Sequence, residues 1–227
     1  GTGLSVMLRG LKAKTYNLTA VVTVADDGGS TGRIRQDLDI IAPGDLRNCL
    51  VALADKEGLM EKLFAHRFGG SGNLTGHSFG NLFIAALIEV LGDVEEAMDA
   101  TSKVLRVRGK VIPSSAEKIR LNAEMTDGRI VEGESQIPHA HGKIKRVFTT
   151  PEHPKAIQSA VRAIQEADAI VLGPGSLYTS IMPNLCVPDI VQAVRTSKAP
   201  KIHTCNVMPH PGETDDYTLS DHAQAIN

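Results

Sequence analysis

Residues 21–35 read VVTVADDGGSTGRIR, an apolar β-branched run that passes without pause into two aspartates, two glycines and a hydroxyl-rich helix start. Such a succession places carboxylates and unsatisfied backbone N–H groups at the carboxyl edge of a sheet, where α/β proteins bind nucleotides. Asp, Gly and Ser also serve ordinary strand-to-helix turns, so the rest of the chain has to supply the case for a site.

Working outward, residues 18–24 suit a strand buried on both faces, as in a parallel sheet. Residues 1–14 give a glycine-rich entry and a helix with Leu4, Leu8 and Leu11 on one stripe. A glycine-rich opening normally follows a strand, so a strand is expected before Gly1, and residues 220–227 read as a helix cut soon after it starts. Both ends look truncated. On the other side, Pro43-Gly44-Asp45 is a turn with Asp45 as N-cap of a helix carrying Leu46, Leu50 and Leu53. A short helix over 58–68 and a loop over 69–73 follow. Residues 82–91, LFIAALIEVL, are apolar almost all round and predict a helix buried in the middle of the domain. His77, Ser78, Gly80 and Asn81 stand at its start, His77 as a hydrogen-bonding residue. Residues 94–105 form a more polar surface helix.

From residue 109 the pattern changes. Ile119, Leu121, Ala123 and Met125 alternate with polar residues, and Asp127-Gly128 is a hairpin signal, so 109–149 reads as an antiparallel β insert with 138–142 as loop. The βα alternation then resumes with a helix over 156–167, a strand over 169–172, a Gly173-Pro174-Gly175-Ser176 turn into another helix, a helix over 189–198 and a strand over 201–206. A polar loop over 207–218 follows. The expectation is one domain over residues 1–227: a Rossmann-like, three-layer, mostly parallel α/β sheet with a small antiparallel β-hairpin insert.

Composition excludes several classes. A net charge of −2 leaves no basic footprint for nucleic acid. Apolar runs are too short for a membrane span, and no signal segment opens the chain. Three cysteines, Cys49, Cys186 and Cys205, show no C-x-x-C pairing and read as core thiols in a reducing cytoplasm. His139 and His141 read as a loop pair, since no cysteine or carboxylate stands at ligand spacing. No G-x-S-x-G elbow or Ser-His-Asp order is present.

In a parallel sheet the turns at Asp26–Gly29, Gly173–Ser176 and Asn206 lie on one edge, and the opening glycines add a fourth if a strand precedes them. Gly175, Ser176, Thr179 and Ser180 are expected to take a diphosphate on backbone N–H and hydroxyl donors, although the G-K-[ST] ending of a P-loop is absent. Thr2, Gly3, Asp26, Asp27, Gly28 and Gly29 line the facing wall, and Asn206 closes the third edge. Arg33, Arg47, Asn48 and Tyr178 are outer candidates, the arginines for charge compensation. Asp26, Asp27, Asp39 and Asp45 imply Mg²⁺ held with a bound nucleotide. A competing reading takes Gly1, Gly3 and Asp26 as a partial NAD fingerprint, with Val6 where the third glycine belongs.

The blocks GTGLSVMLRGL, VTVADDGGSTGRIR, PGDLRNCLVALAD, GHSFGNLFIAAL, VRGKVIPSS, GPGSLYTSIMPNL and CNVM…PGETDDYTLSDH, in this order, resemble the bacterial gluconeogenesis factor family (YvcK), within the wider group similar to 2-phospho-L-lactate transferase (CofD). That resemblance implies a cytoplasmic regulatory protein on a Rossmann-like core, with an extension. It would bind nucleotide sugars of the UDP-N-acetylglucosamine type and be needed for cell shape and wall synthesis on gluconeogenic carbon. The transferase branch implies an alternative, Mg²⁺-dependent transfer of a phospholactyl group from a guanylated donor, with Asp26 and Asp27 resembling its acidic turn. The aromatic acceptor side of the transferase is not evident, with aromatics at 4% and no Trp. Expected partners are a nucleotide-sugar ligand, a second copy in a homodimer and cell-wall regulatory proteins, without nucleic acid or membrane insertion.

Overall fold

The computed structural model describes residues 2–55 and 58–226, so Gly1 of the opening turn lies outside the described residues. The first helix forms as α1 (Thr2–Leu11), and the buried run after it as β1 (Thr19–Val22). Its partner is β2 (Lys110–Pro113), in parallel, with Thr19 opposite Lys110 and Val22 opposite Pro113. The sequence reading put this segment in the antiparallel insert. The run KVIP does not alternate, however, and Val111 and Ile112 are both buried, which is the pattern of a strand covered on two faces. The antiparallel sheet comprises β3 (Arg120–Met125), β4 (Ile130–Glu132) and β5 (Ile144–Thr150) in the order β4-β3-β5. Its first hairpin turns at Asp127-Gly128, where Gly128 takes φ 88° and Asp127 Oδ1 accepts the Arg129 N–H at 3.1 Å. A second parallel pair, β6 (Ile170–Leu172) with β7 (Lys201–His203), completes a mixed α/β fold with two parallel pairs and one antiparallel sheet.

Helices fill the intervals: α2 (Gly29–Leu38), α3 (Gly44–Leu53), α4 (Leu59–Ala65), α5 (Phe79–Leu91), α6 (Val94–Leu105), α7 (Gln158–Gln165), α8 (Met182–Leu185), α9 (Pro188–Thr196) and α10 (Leu219–Ile226). Here two expectations are corrected. Asp45 is not the N-cap of α3; Pro43 holds that place, and Asp45 sits in the first helical turn, where it faces the cleft described below. Nor is α5 the buried centre. Its first half packs through Gly80, Asn81, Ile84 and Ala85, but Val90 is 79% exposed at the far end. The central helix is α3, whose Leu46, Cys49, Leu50, Ala52 and Leu53 are fully buried against α1, β1, β2, α4, α5 and α6. Each leucine there contributes about 1.5–3 kcal/mol of burial. Beside α3, Phe64 sets its ring edge-on to Phe83 at 4.9 Å and to Phe79 at 5.9 Å, joining α4 to α5.

Residues 134–139, the first of them outside the expected loop, form a 3-10 turn (Glu134–His139) with Ile137 fully buried as its anchor. The expected helix after Ser176 is a π turn over Leu177–Ile181 that leads into the four-residue α8. A reciprocal capping box starts α10: Asp221 Oδ2 accepts the Thr218 N–H at 2.7 Å, and Thr218 Oγ1 accepts the Asp221 N–H at 3.3 Å. Among the described residues no helix is long and apolar enough to cross a membrane.

Candidate functional site

The start of α1, Asp26, the turn after β6 and Asn206 meet at one cleft, whereas Asp27, Gly28 and Gly29 do not line it. Gly3, in the first turn of α1, faces the carbonyl of Pro174, which a Cβ at residue 3 would approach to 3.2 Å. Asn206 Nδ2 donates to the Gly175 carbonyl at 2.8 Å, tying the turn after β7 to the turn after β6. Thr2, Gly3, Asp26, Gly175, Ser176, Thr179, Ser180 and Asn206 all line one cleft of roughly 1710 Å³. Residues 19–23 and 170–172 line the same cleft, together with apolar residues of α1.

Acidic residues are among its lining. Asp26 Oδ1 accepts the Gly28 N–H at 2.9 Å, closing a turn onto α2, while Thr31 of the first turn of α2 donates its hydroxyl to the same carboxylate. Gly44 makes this arrangement fit, since a Cβ there would stand 2.6 Å from Asp26 Oδ2. Burial, then the charges of Asp45 and Asp27, push the Asp26 carboxyl above its usual range against the Gly28 bond. Asp27 points elsewhere: its Oδ1 accepts the Ser135 N–H at 2.8 Å and its Oδ2 faces Gly133, where a Cβ would come within 2.6 Å. Asp27 thus fastens the 3-10 turn and brings Glu134 into the cleft. Glu134 was not foreseen from sequence, because nothing local marks it and only the Asp27 clamp puts it beside the other acids. Burial, then Asp26, Asp27, Asp45 and Glu213, raise its carboxyl to about 8.

The π turn is not an open phosphate site along its whole length. Glu213, 5% exposed, accepts the Tyr178 and Thr179 N–H groups at 3.2 Å each and the Thr179 hydroxyl at 2.8 Å. His210 Nδ1 stands 2.9 Å from Oε1, the oxygen that accepts the Thr179 hydroxyl. A carboxylate of the chain itself therefore holds Thr179, one of the four residues offered to a diphosphate, while Gly175, Ser176 and Ser180 line the cleft. Tyr178 is buried, with its hydroxyl 2.8 Å from that of Tyr217, and does not line the cleft.

Opposite charge gathers on the far side of Asp26. A bay of roughly 570 Å³ is lined by Asp26, Gly28, Gly29, Ser30, Thr31, Arg33, Gly44, Arg47, Asn48, Arg67, Gly76 and Asn81. Six of the sequence candidates, Asp26, Gly28, Gly29, Arg33, Arg47 and Asn48, meet here at the N-terminus of α2. Arg47 donates to Asn48 Oδ1 at 2.6 Å, and burial together with the neighbouring Arg67 charge lowers its affinity for its proton. Arg33 and Arg67 are exposed and donate to the carbonyls of Thr75 and Gly76. Beneath the bay, Ser30 anchors the first turn of α2: its hydroxyl lies 3.3 Å from His77 Nδ1 and accepts the Ser78 N–H at 3.3 Å. His77 thus has the hydrogen-bonding place expected of it, and burial and the Arg33 charge disfavour its protonation. A further arginine that sequence missed, Arg35, donates to the carbonyls of Ala25, Asp26 and Ile119, clamping the acidic turn to the start of β3.

The remaining candidates separate from the site. Asp39 ends α2 and pairs with Lys118 at 2.6 Å on the surface. His139 and His141 are exposed, as expected of a loop pair. Cys49 is a core thiol, pushed up to about 12 by burial. Cys186 is half-buried, and burial raises it to about 11. Cys205 is also only half-buried and lies beside His203 and His222, so it is not a core thiol.

Known proteins resemble the chain along its whole length. A relative from Bacillus subtilis named "Gluconeogenesis factor" is 56% identical, and one of the same name from Halalkalibacterium halodurans is 57% identical, with the chain covering 72% and 70% of them. A relative from Nostoc sp. is 56% identical over the full chain, which spans half of that protein's length. A crystal structure of a Bacillus halodurans protein superposes with a TM-score of 0.97 at 57% identity, matching all of this chain and 73% of that one. The model of the family described as "2-phospho-L-lactate transferase CofD" matches residues 1–227, and the chain belongs to that family.

Proposed function

We propose that the protein binds a nucleoside diphosphate sugar, of the UDP-N-acetylglucosamine type, and acts as a cytoplasmic regulator related to the gluconeogenesis factors, with a role in cell shape and wall synthesis. The observation that carries this reading is the position of Asp26, shared by an arginine-lined bay at the N-terminus of α2 and an acidic cleft at the converging turns. The bay has the size of a small-ligand site. Helix N–H groups and guanidinium forks recognise phosphate oxygens. An anion there would relieve the repulsion between Arg47 and Arg67. The sugar and nucleoside would extend into the cleft toward Gly175, Ser176, Ser180 and Asn206.

Mg²⁺ fits the acidic side. Burial first, and then the neighbouring carboxylate charges, Asp45 among them for both, raise Asp26 and Glu134, and a divalent cation would offset the charge part of that penalty. These residues would hold it with phosphate oxygens, where it would neutralise phosphate charge. The same carboxylates support a second reading, Mg²⁺-dependent transfer of a phosphorus-containing group, to which the family also points. For the NAD reading no comparable observation exists: Gly3 is spent on close packing against Pro174.

We also propose that the fold is Rossmann-like. Thr19–Thr23 of the first parallel pair and Ile170–Leu172 of the second line the same cleft, which is too large for a nucleotide sugar alone. An extended segment parallel to both would join the pairs into one sheet.

Thermal denaturation with Mg²⁺ and UDP-N-acetylglucosamine, GDP or NAD tests the function. A ligand at a hundred times its dissociation constant stabilises the fold by about 2.7 kcal/mol. Failure of every nucleotide to shift unfolding of the folded protein would overturn it.

A further inference from the structure

His203 ends β7, Cys205 follows two residues later, and His222 lies on α10, yet one ligand atom from each comes within 4.8 Å of the others. Sequence spacing does not reveal the group, because His222 arrives from a separate helix. Three observations give it chemical direction. His203 Nδ1 stands 3.1 Å from the Leu172 carbonyl, and a carbonyl only accepts, so Nδ1 carries the proton and the lone pair sits on Nε2. That Nε2 is buried and has no hydrogen-bond partner. His222 is 6% exposed, and its ring lies nearly parallel to that of His203 with centroids 6.1 Å apart. A buried, unpartnered imidazole nitrogen costs free energy unless something takes its lone pair. An imidazole whose other nitrogen donates to a backbone carbonyl has the arrangement seen behind metal-ligating histidines.

We propose that His203 Nε2, the Cys205 thiolate and a ring nitrogen of His222 bind a zinc-class cation, fastening α10 to β7. Two imidazoles and one thiolate suit borderline and soft d-block ions, not the hard Mg²⁺ of the acidic cleft. Tetrahedral zinc with bonds of 2.0–2.3 Å needs ligand atoms about 3.3–3.8 Å apart, which small side-chain rotations reach from the present separations. Three protein ligands leave the fourth position to water. On binding, the Cys205 S–H bond breaks, the sulfur keeps the electron pair and forms the S–Zn bond, and the proton passes to solvent. No oxidant or reductant takes part. The site stands apart from the arginine bay, but Asn206 follows Cys205 directly, so the ion would also steady the turn that closes the cleft.

The test is titration of the metal-free chain with Zn²⁺ against a chromophoric chelator, with Co²⁺ as a spectroscopic probe. The site predicts one Zn²⁺ per chain, release of a proton and a thiolate-to-cobalt charge-transfer band. Cys205→Ser removes the band. His203→Gln, at a half-buried residue, weakens binding by at least about tenfold to hundredfold, the loss that removing an outer-shell partner alone brings. Circular dichroism confirms that both variants are folded. Absence of stoichiometric binding overturns the inference, and so does binding that survives both substitutions, as it would if His139 and His141 were the ligands.

Discussion

The two sides of Asp26 carry opposite charge. Toward the cleft, Asp26, Asp45 and Glu134 crowd together, and burial and mutual repulsion raise the Asp26 and Glu134 carboxyls. Toward the bay, Arg47 and Arg67 crowd together beside the N-terminus of α2, and the same two causes lower the Arg47 guanidinium. Like charges gathered at partly buried positions destabilise the empty fold. Their presence on both sides of one residue is the arrangement that a phosphate and a divalent cation, bound together, would neutralise. Structural clamps look different: Asp27, Arg35 and Glu213 are each satisfied by backbone or side-chain partners inside the chain.

The largest effect is expected where the bay loses its most buried cation. Arg47→Ala removes charge-assisted bonds worth about 1.5–3 kcal/mol, so calorimetric affinity for a nucleoside diphosphate falls about tenfold to hundredfold with little change in melting. Equal affinity in the variant would break the contrast between the two sides. Next comes the contact behind Asp26. Gly44→Ala sets a Cβ against Asp26 Oδ2 and Thr31 and destabilises the fold by about 1–3 kcal/mol, read by urea unfolding. Wild-type stability would mean that the acidic turn tolerates displacement.

A third prediction uses pH. The Glu134 carboxyl, ordinarily at 4.5, is raised to about 8 in the folded chain. Between those values the folded state holds a proton that the unfolded state has lost. Stability from this group is therefore complete below about 4.5, declines as pH rises and levels off above about 8, at no more than about 1.4 kcal/mol per pH unit. Glu134→Gln flattens the decline, and saturating Mg²⁺ reduces it in the parent chain by favouring the ionised carboxyl. An unchanged slope in the variant would remove Glu134 from the acidic group. The smallest effect serves as control. Asp93, whose side chain accepts the Glu96 N–H at 2.9 Å, caps α6 away from both charged sides. Asp93→Ala costs about 1 kcal/mol of stability and leaves nucleotide affinity unchanged.

Much of this contrast was legible in the sequence, but unevenly. The stretch from Val21 to Arg35 announces strand, acidic turn and helix because each step is local chemistry, and the Asp127-Gly128 hairpin is local in the same way. Arg33 and Arg47 were visible as charge compensation, and Asn48 as an outer candidate beside them. What escaped depends on distant chain segments. Glu134 joins the site only through Asp27 and Ser135, residues 108 apart in sequence. Glu213 reaches Thr179 across 34 residues and takes over donors that read as a phosphate site. The apolar run over 82–91 looked like a core helix, yet hydrophobicity alone does not say which helix the fold centres on, and α3 took that place.

The most direct test of the central claim is a crystal structure of the chain with Mg²⁺ and UDP-N-acetylglucosamine. The account predicts phosphate oxygens on the first-turn N–H groups of α2 and on Arg47, with the cation on Asp26. Phosphates seated on Gly175, Ser176 and Ser180, with Arg47 untouched and no cation near Asp26, would contradict it.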